Sequence, residues 1–98
     1  MAINRINGTQ QNDIINGTYL ADQIHGLGGH DIIRGHLGDD VIYGDDGNDQ
    51  LYGGPGADRV EGGNGSDVIY GHEDNDTLLG GNGRDTLYGG AGNDNLNG

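Results

Sequence analysis

Ten aspartates stand at a constant interval of nine residues: Asp13, Asp22, Asp31, Asp40, Asp49, Asp58, Asp67, Asp76, Asp85 and Asp94. Glycine keeps the same step from Gly8 to Gly98, and an aliphatic residue follows each aspartate at the second position, from Ile15 to Leu96. Ten units thus run from Gly8 to Asn97 without an insertion. A chain so regular either folds as a stack of equivalent units, each contacting only its neighbours, or does not fold.

Counted from its first glycine, each unit divides in two. All 23 glycines lie at unit positions 1 to 4. That half reads as a tight turn, where glycine takes positive φ at little steric cost. Positions 6 to 9 carry β-branched, aliphatic and aromatic residues, as in Val41-Ile42-Tyr43, and read as a short strand. Strands that short need neighbours. With two units per coil, residue i lies beneath residue i+18, and odd and even units build two short-stranded parallel sheets. The expected fold is an all-β parallel roll. Residues i and i+2 of a strand share a face, so the aliphatic at position 8 and the aspartate at position 6 both point inward.

Composition alone points elsewhere. Of the 98 residues 31% are hydrophobic, Phe, Trp and Cys are absent, and the formal net charge is -12. An acidic, glycine-rich chain of this kind is ordinarily disordered. One domain is the most its length allows. With Lys and Arg totalling 4, a basic nucleic-acid-binding face is excluded. No apolar run has membrane-spanning length, and Met1-Ala2-Ile3-Asn4-Arg5 offers no apolar core of a signal peptide. The thin core cannot by itself offset the ordering of so much glycine. Stacking also places the inward carboxylates about 4.8 Å apart in two columns, which demands cations between them. Ca²⁺ suits such sites: it takes six to eight oxygens in flexible geometry, including carboxylates and backbone carbonyls, whereas Mg²⁺ requires a strict octahedron and Zn²⁺ prefers His and Cys.

Gly62-Gly63-Asn64-Gly65-Ser66-Asp67-Val68-Ile69-Tyr70 carries the pattern G-G-x-G-x-D-x-U-x, with U aliphatic. On that motif, over residues 8–98, the chain resembles the RTX (repeats-in-toxin, hemolysin-type) calcium-binding β-roll. The resemblance implies a right-handed roll with Ca²⁺ held between a turn and the turn one coil further on. The ten repeat aspartates would supply carboxylates. Turn carbonyls near Gly29, Gly38, Gly47, Gly54, Gly56, Gly63, Gly65, Gly81, Gly83, Gly90 and Gly92 would complete the sites. It further implies export by type I secretion, an extracellular location, and folding outside the low-calcium cytosol. Sites between aspartates 18 apart number eight at most, Asp13/Asp31 to Asp67/Asp85 on one edge and Asp22/Asp40 to Asp76/Asp94 on the other; about four to eight ions are expected. Gln11, Leu20 and Asp74 replace glycine at position 4, which should weaken, distort or empty sites using those turns. Residues 1–7 read as a degenerate leading strand that caps the roll, and 8–98 as the roll itself.

His25, His30, His36 and His72 fall at positions 9, 5, 2 and 2 and form no ligand set. Tyr52, Tyr70 and Tyr88, 18 apart, predict an outward tyrosine row, which packs across strands or offers a stacking surface to a polysaccharide. RTX-type rolls accompany alginate-modifying enzymes, so an alginate-like carbohydrate is the alternative ligand. Catalysis has no visible residues: there is one serine, Ser66, and no cysteine. The leading expectation is a non-enzymatic calcium-binding module that folds on binding several ions. Exposed sheet edges at the ends of the stack provide for end-to-end self-association.

Overall fold

The structure, a computed structural model, describes residues 4–98; the first three residues of the expected leading segment lie outside them. Among the described residues there is no helix, and so none long and apolar enough to cross a membrane. Eleven strands form two sheets. The six-stranded sheet runs in the order β1 (Asn4–Asn7), β3 (Asp22–His25), β5 (Val41–Tyr43), β7 (Arg59–Gly63), β9 (Thr77–Gly81) and β11 (Asn95–Asn97). The five-stranded sheet runs β2 (Ile14–Asn16), β4 (Ile32–Arg34), β6 (Gln50–Tyr52), β8 (Val68–Tyr70) and β10 (Thr86–Tyr88). Every pairing is parallel and joins residue i to i+18, as in Ile24↔Ile42 and Leu51↔Ile69. The chain therefore forms the solenoid of two sheets that its period predicts, with two units per coil. The segment Asn4–Asn7 pairs along its whole length with Asp22–His25.

The coils meet through one repeated line of aliphatic side chains. Ile24, Ile33, Ile42, Leu51, Val60, Ile69 and Leu78 have no exposed surface, and Ile15 is buried beside them. Ile6 and Leu87 pack partly against this line, while Leu96 on β11 is 47% exposed because no strand lies beyond it. Between coils, turn backbones bond as the strands do. The Gly26 N–H donates to the Tyr43 carbonyl at 2.8 Å, and the Gln50 N–H to the Asp31 carbonyl at 2.8 Å.

From the third unit on, positions 2 and 4 of the turns are left-handed wherever glycine stands there, as at Gly47 (φ 101°). Five other side chains accept the same conformation: Leu27, His36, Asp45, His72 and Asp74, with φ between 67° and 75°. Each such residue costs roughly 1–2 kcal/mol, so coil-to-coil pairing must impose the turn. Asp45 recovers part of this by accepting the Leu27 N–H at 3.1 Å. Asp74, in place of glycine at position 4, keeps the backbone form of its neighbours.

The outward tyrosine row is present on the five-stranded sheet. Ring centroids of Tyr52 and Tyr70 are 5.0 Å apart and those of Tyr70 and Tyr88 4.9 Å, with the rings nearly parallel. The Arg34 guanidinium lies 5.3 Å from the Tyr52 ring centre on the next strand. His72 stacks beside Tyr52 and Tyr70, and His25 on Tyr43 of the other sheet. The tyrosine faces are thus turned to one another, apart from the outer face of Tyr88 on the last strand of its sheet.

Candidate metal centre

A strand that alternates its faces brings the aspartate at position 6 into the same interior as the aliphatic at position 8. Asp22, Asp31, Asp40, Asp49, Asp58, Asp67 and Asp76 are all buried; Asp13, Asp85 and Asp94, nearer the ends, are half-buried. One carboxylate oxygen of each has a structural task. Oδ1 of Asp31 accepts the backbone N–H of Asp13 one coil earlier, and this link repeats through Asp94 with N···O distances of 2.8 to 2.9 Å. Each column of aspartates is therefore a continuous ladder of charge-assisted hydrogen bonds.

The second oxygen is different. Oδ2 of Asp31, Asp40, Asp49, Asp58, Asp67, Asp76 and Asp85 is buried and has no hydrogen-bond partner. A buried carboxylate oxygen without a donor carries a large desolvation penalty. Seven in register amount to a pattern rather than an accident. Beside five of them lies a backbone carbonyl oxygen: a Cβ added at Gly44 would sit 2.7 Å from Asp49 Oδ2 and 2.8 Å from the Gly62 carbonyl oxygen of the next coil. The same two kinds of oxygen flank Gly26, Gly35, Gly62 and Gly71, and also Gly8 and Gly17 of the first two units. Among the described residues no three His, Cys, Asp or Glu side chains converge, so a cation held here has to draw on backbone carbonyls as well. An unpaired carboxylate oxygen beside a backbone carbonyl oxygen is the hard, all-oxygen kind of donor that suits Ca²⁺. The residues fit that ion.

Burial pushes these carboxyls up, and neighbouring carboxylates add to the effect against the opposing pull of their backbone hydrogen bonds. Asp67 and Asp76 rise to about 6, Asp40 and Asp49 to about 7, and Asp58 to about 8, while Asp31 is also raised. Without metal the roll therefore holds more protons than the unfolded chain between about pH 4 and 8. Its stability from this source is full below the ordinary carboxyl value and is lost as pH rises through 6 to 8. We expect protein stripped of divalent ions to gain β-sheet circular dichroism when acidified from pH 8 to 5. Protons then compete with calcium for the folded roll, so its apparent affinity for the ion should fall over the same interval. A metal-free signal that declines on acidification contradicts this sign.

Two aspartates stand apart. Oδ2 of Asp13 accepts the Thr9 N–H, and Oδ2 of Asp22 the Thr18 N–H, each at 2.6 Å. The turns at Gln11 and Leu20 also lack the left-handed residues found in the others. All eleven glycines whose carbonyls were expected near the sites adopt positive φ. The histidines go elsewhere. His25 faces Asp45 at 3.3 Å, His36 faces Asn16 Oδ1 at 3.3 Å, and His30 Nδ1 accepts the Asn48 N–H at 2.8 Å. That last contact belongs to a feature not foreseen. Side chains at position 5, namely Asn12, His30 and Asn48 on one edge and Asp39 and Asn75 on the other, each accept a backbone N–H of the next coil at 2.7 to 2.8 Å. The recurrence of Asn and Asp at that position was the available signal.

The chain matches the RTX calcium-binding nonapeptide repeat in four copies, over residues 2–19, 16–51, 52–87 and 70–98. No curated protein matches it. Repeats of this family form calcium-binding β-rolls that are generally structural rather than enzymatic, and their parent proteins are typically secreted. With the repeat covering nearly every residue, and unpaired aspartate oxygens where a hard cation is needed, the chain belongs to the RTX calcium-binding nonapeptide repeat family.

Proposed function

We propose that this chain is a calcium-responsive structural module of an extracellular protein, unfolded at low calcium and folded when several ions occupy its turns. The observation that carries this reading is the set of seven buried Oδ2 atoms without a donor. A cation that binds them in the folded state alone stabilises that state by mass action. The ligands are the repeat aspartates together with turn carbonyls, and each inner aspartate lies between two coils, so that binding at one site favours the next. A calcium requirement on the order of 10⁻⁴–10⁻³ M would match other extracellular modules. The chain's own residues supply the rest. The aliphatic line excludes water, and the Oδ1 ladder fixes each carboxylate so that Oδ2 faces its turn. For a carbohydrate role the tyrosine row gives little support, since stacking covers its ring faces except the outer one of Tyr88.

The test is selectivity together with stoichiometry. Native mass spectrometry should show several calcium ions per chain, acquired over a narrow range of concentration. Magnesium at the same concentrations should neither be retained nor induce β structure, because it does not readily shed water for irregular oxygen ligands. Equal folding by both ions counts against the reading, as does a single ion per chain.

A further inference from the structure

We propose that the turns of the first two units hold no calcium, and that the hydroxyl and amide of Thr9 and Thr18 take the place of the ion. This rests on the calcium reading of the other turns. Thr9 gives Asp13 Oδ2 its backbone N–H at 2.6 Å, and its Oγ1 donates between Oδ1 and Oδ2 at 3.0 and 3.1 Å. Thr18 does the same for Asp22, at 2.6, 2.9 and 3.2 Å. Each hydroxyl oxygen in turn accepts the N–H of position 4, from Gln11 at 3.0 Å and Leu20 at 3.1 Å. A carbonyl oxygen of the next coil, from Gly26 or Gly35, stands beside Gly8 and Gly17 as in the later turns, but here neither oxygen of the carboxylate is left unpaired. A cation approaching Asp13 or Asp22 would have to displace three hydrogen bonds from the carboxylate, one of them from a backbone N–H.

The backbone shows the same division. Positions 2 and 4 of the eight later units all have positive φ: Leu27 and Gly29, His36 and Gly38, Asp45 and Gly47, and so on to Gly90 and Gly92. Thr9, Gln11, Thr18 and Leu20 do not. A β-branched residue is strained at positive φ, so threonine at position 2 sets the alternative turn, and its hydroxyl then satisfies what that turn leaves open. Removing the pairs Asp13/Asp31 and Asp22/Asp40 from the eight leaves six, those joining the third unit onward. Thr9 and Thr18 thus decide where the row of ions stops and let the coil beyond it close without one.

Crystals grown in calcium, examined by the anomalous scattering of the ion, test this directly. Peaks are expected in the turns carrying Asp31 through Asp94 and none in those carrying Asp13 and Asp22, with no more than six ions per chain by native mass spectrometry. A peak in either leading turn overturns the proposal. No peaks anywhere overturns the calcium reading and this inference with it. The variant Thr9→Gly/Gln11→Gly/Thr18→Gly/Leu20→Gly, which restores glycine at positions 2 and 4, should bind one or two ions more than the parent chain. Should its leading coil not fold, the anomalous map of the unaltered chain still decides.

Discussion

Stripping calcium from the folded protein should abolish its β-sheet circular dichroism and expand its radius of gyration from 11.8 Å toward roughly 30 Å, the value of an unfolded chain of this length. Two properties of the roll make the effect so large. Its apolar interior is one buried aliphatic per strand, Ile15 to Leu78, in two facing columns with one from each sheet, a thin core for a chain so rich in glycine. The remaining interior is carboxylate, seven of whose oxygens are buried without a donor. At neutral pH the metal-free roll must either leave those charges unpaired or protonate them, and both choices favour the open chain. Because each coil contacts only its neighbours through the same ladder, loss should spread along the stack and give one transition. Small-angle scattering and far-UV circular dichroism in chelator, followed by restoration of calcium, measure it. A compact protein with full β signal in chelator at pH 8 sinks the calcium switch.

Gly44→Ala should raise the calcium concentration needed for folding on the order of tenfold and lower the number of bound ions. The backbone at Gly44 lies outside the left-handed region, so alanine meets no conformational objection there. Its methyl group does meet one, 2.7 Å from Asp49 Oδ2 and 2.8 Å from the Gly62 carbonyl oxygen. Both oxygens must retreat. Asp49 also accepts the Asp31 N–H, so the ladder is disturbed along with the turn. Overpacking of this kind typically costs about 1–3 kcal/mol, and 1.4 kcal/mol is tenfold in an equilibrium. Gly98→Ala is the control, since nothing lies within 4 Å of a Cβ there, and it should leave both quantities unchanged. Calcium titration of the two variants by circular dichroism, with ion counts by native mass spectrometry, gives the comparison. An unaltered midpoint and ion count for Gly44→Ala would show that the spot beside Asp49 is not where the ion is held.

The architecture was readable because its period is arithmetical. Nine-residue spacing of Asp31, Asp40 and Asp49 sets the coil at eighteen, and the alternation of a strand then turns Asp40 and Ile42 to the same side. The tyrosine row followed from the same count. What the sequence hid depends on the backbone of the turns. Leu27, His36 and Asp45 show that position 2 goes left-handed without glycine, because the coil beneath dictates it. Thr9 and Thr18 occupy that same position and refuse the conformation, a difference carried by one branched carbon and visible only once the hydrogen bonds to Asp13 and Asp22 are drawn. The side chains at position 5 were overlooked for the opposite reason. Asn12, His30 and Asp39 are chemically unlike, yet all present an acceptor at the same height.

The register of eighteen also sets how such a molecule can change its length. Excising residues 44–61 would bring His25 and Tyr43 still beneath a strand of their own sheet and leave Tyr70 above Arg34, with every interior column intact. Excising nine residues would keep aspartate and aliphatic aligned as well, but would transfer each later strand to the opposite wall and cut the tyrosines off from the arginine they rest on. The interior thus counts in nines and the exterior in eighteens, so duplication or loss of whole coils is the edit that leaves both surfaces unscarred.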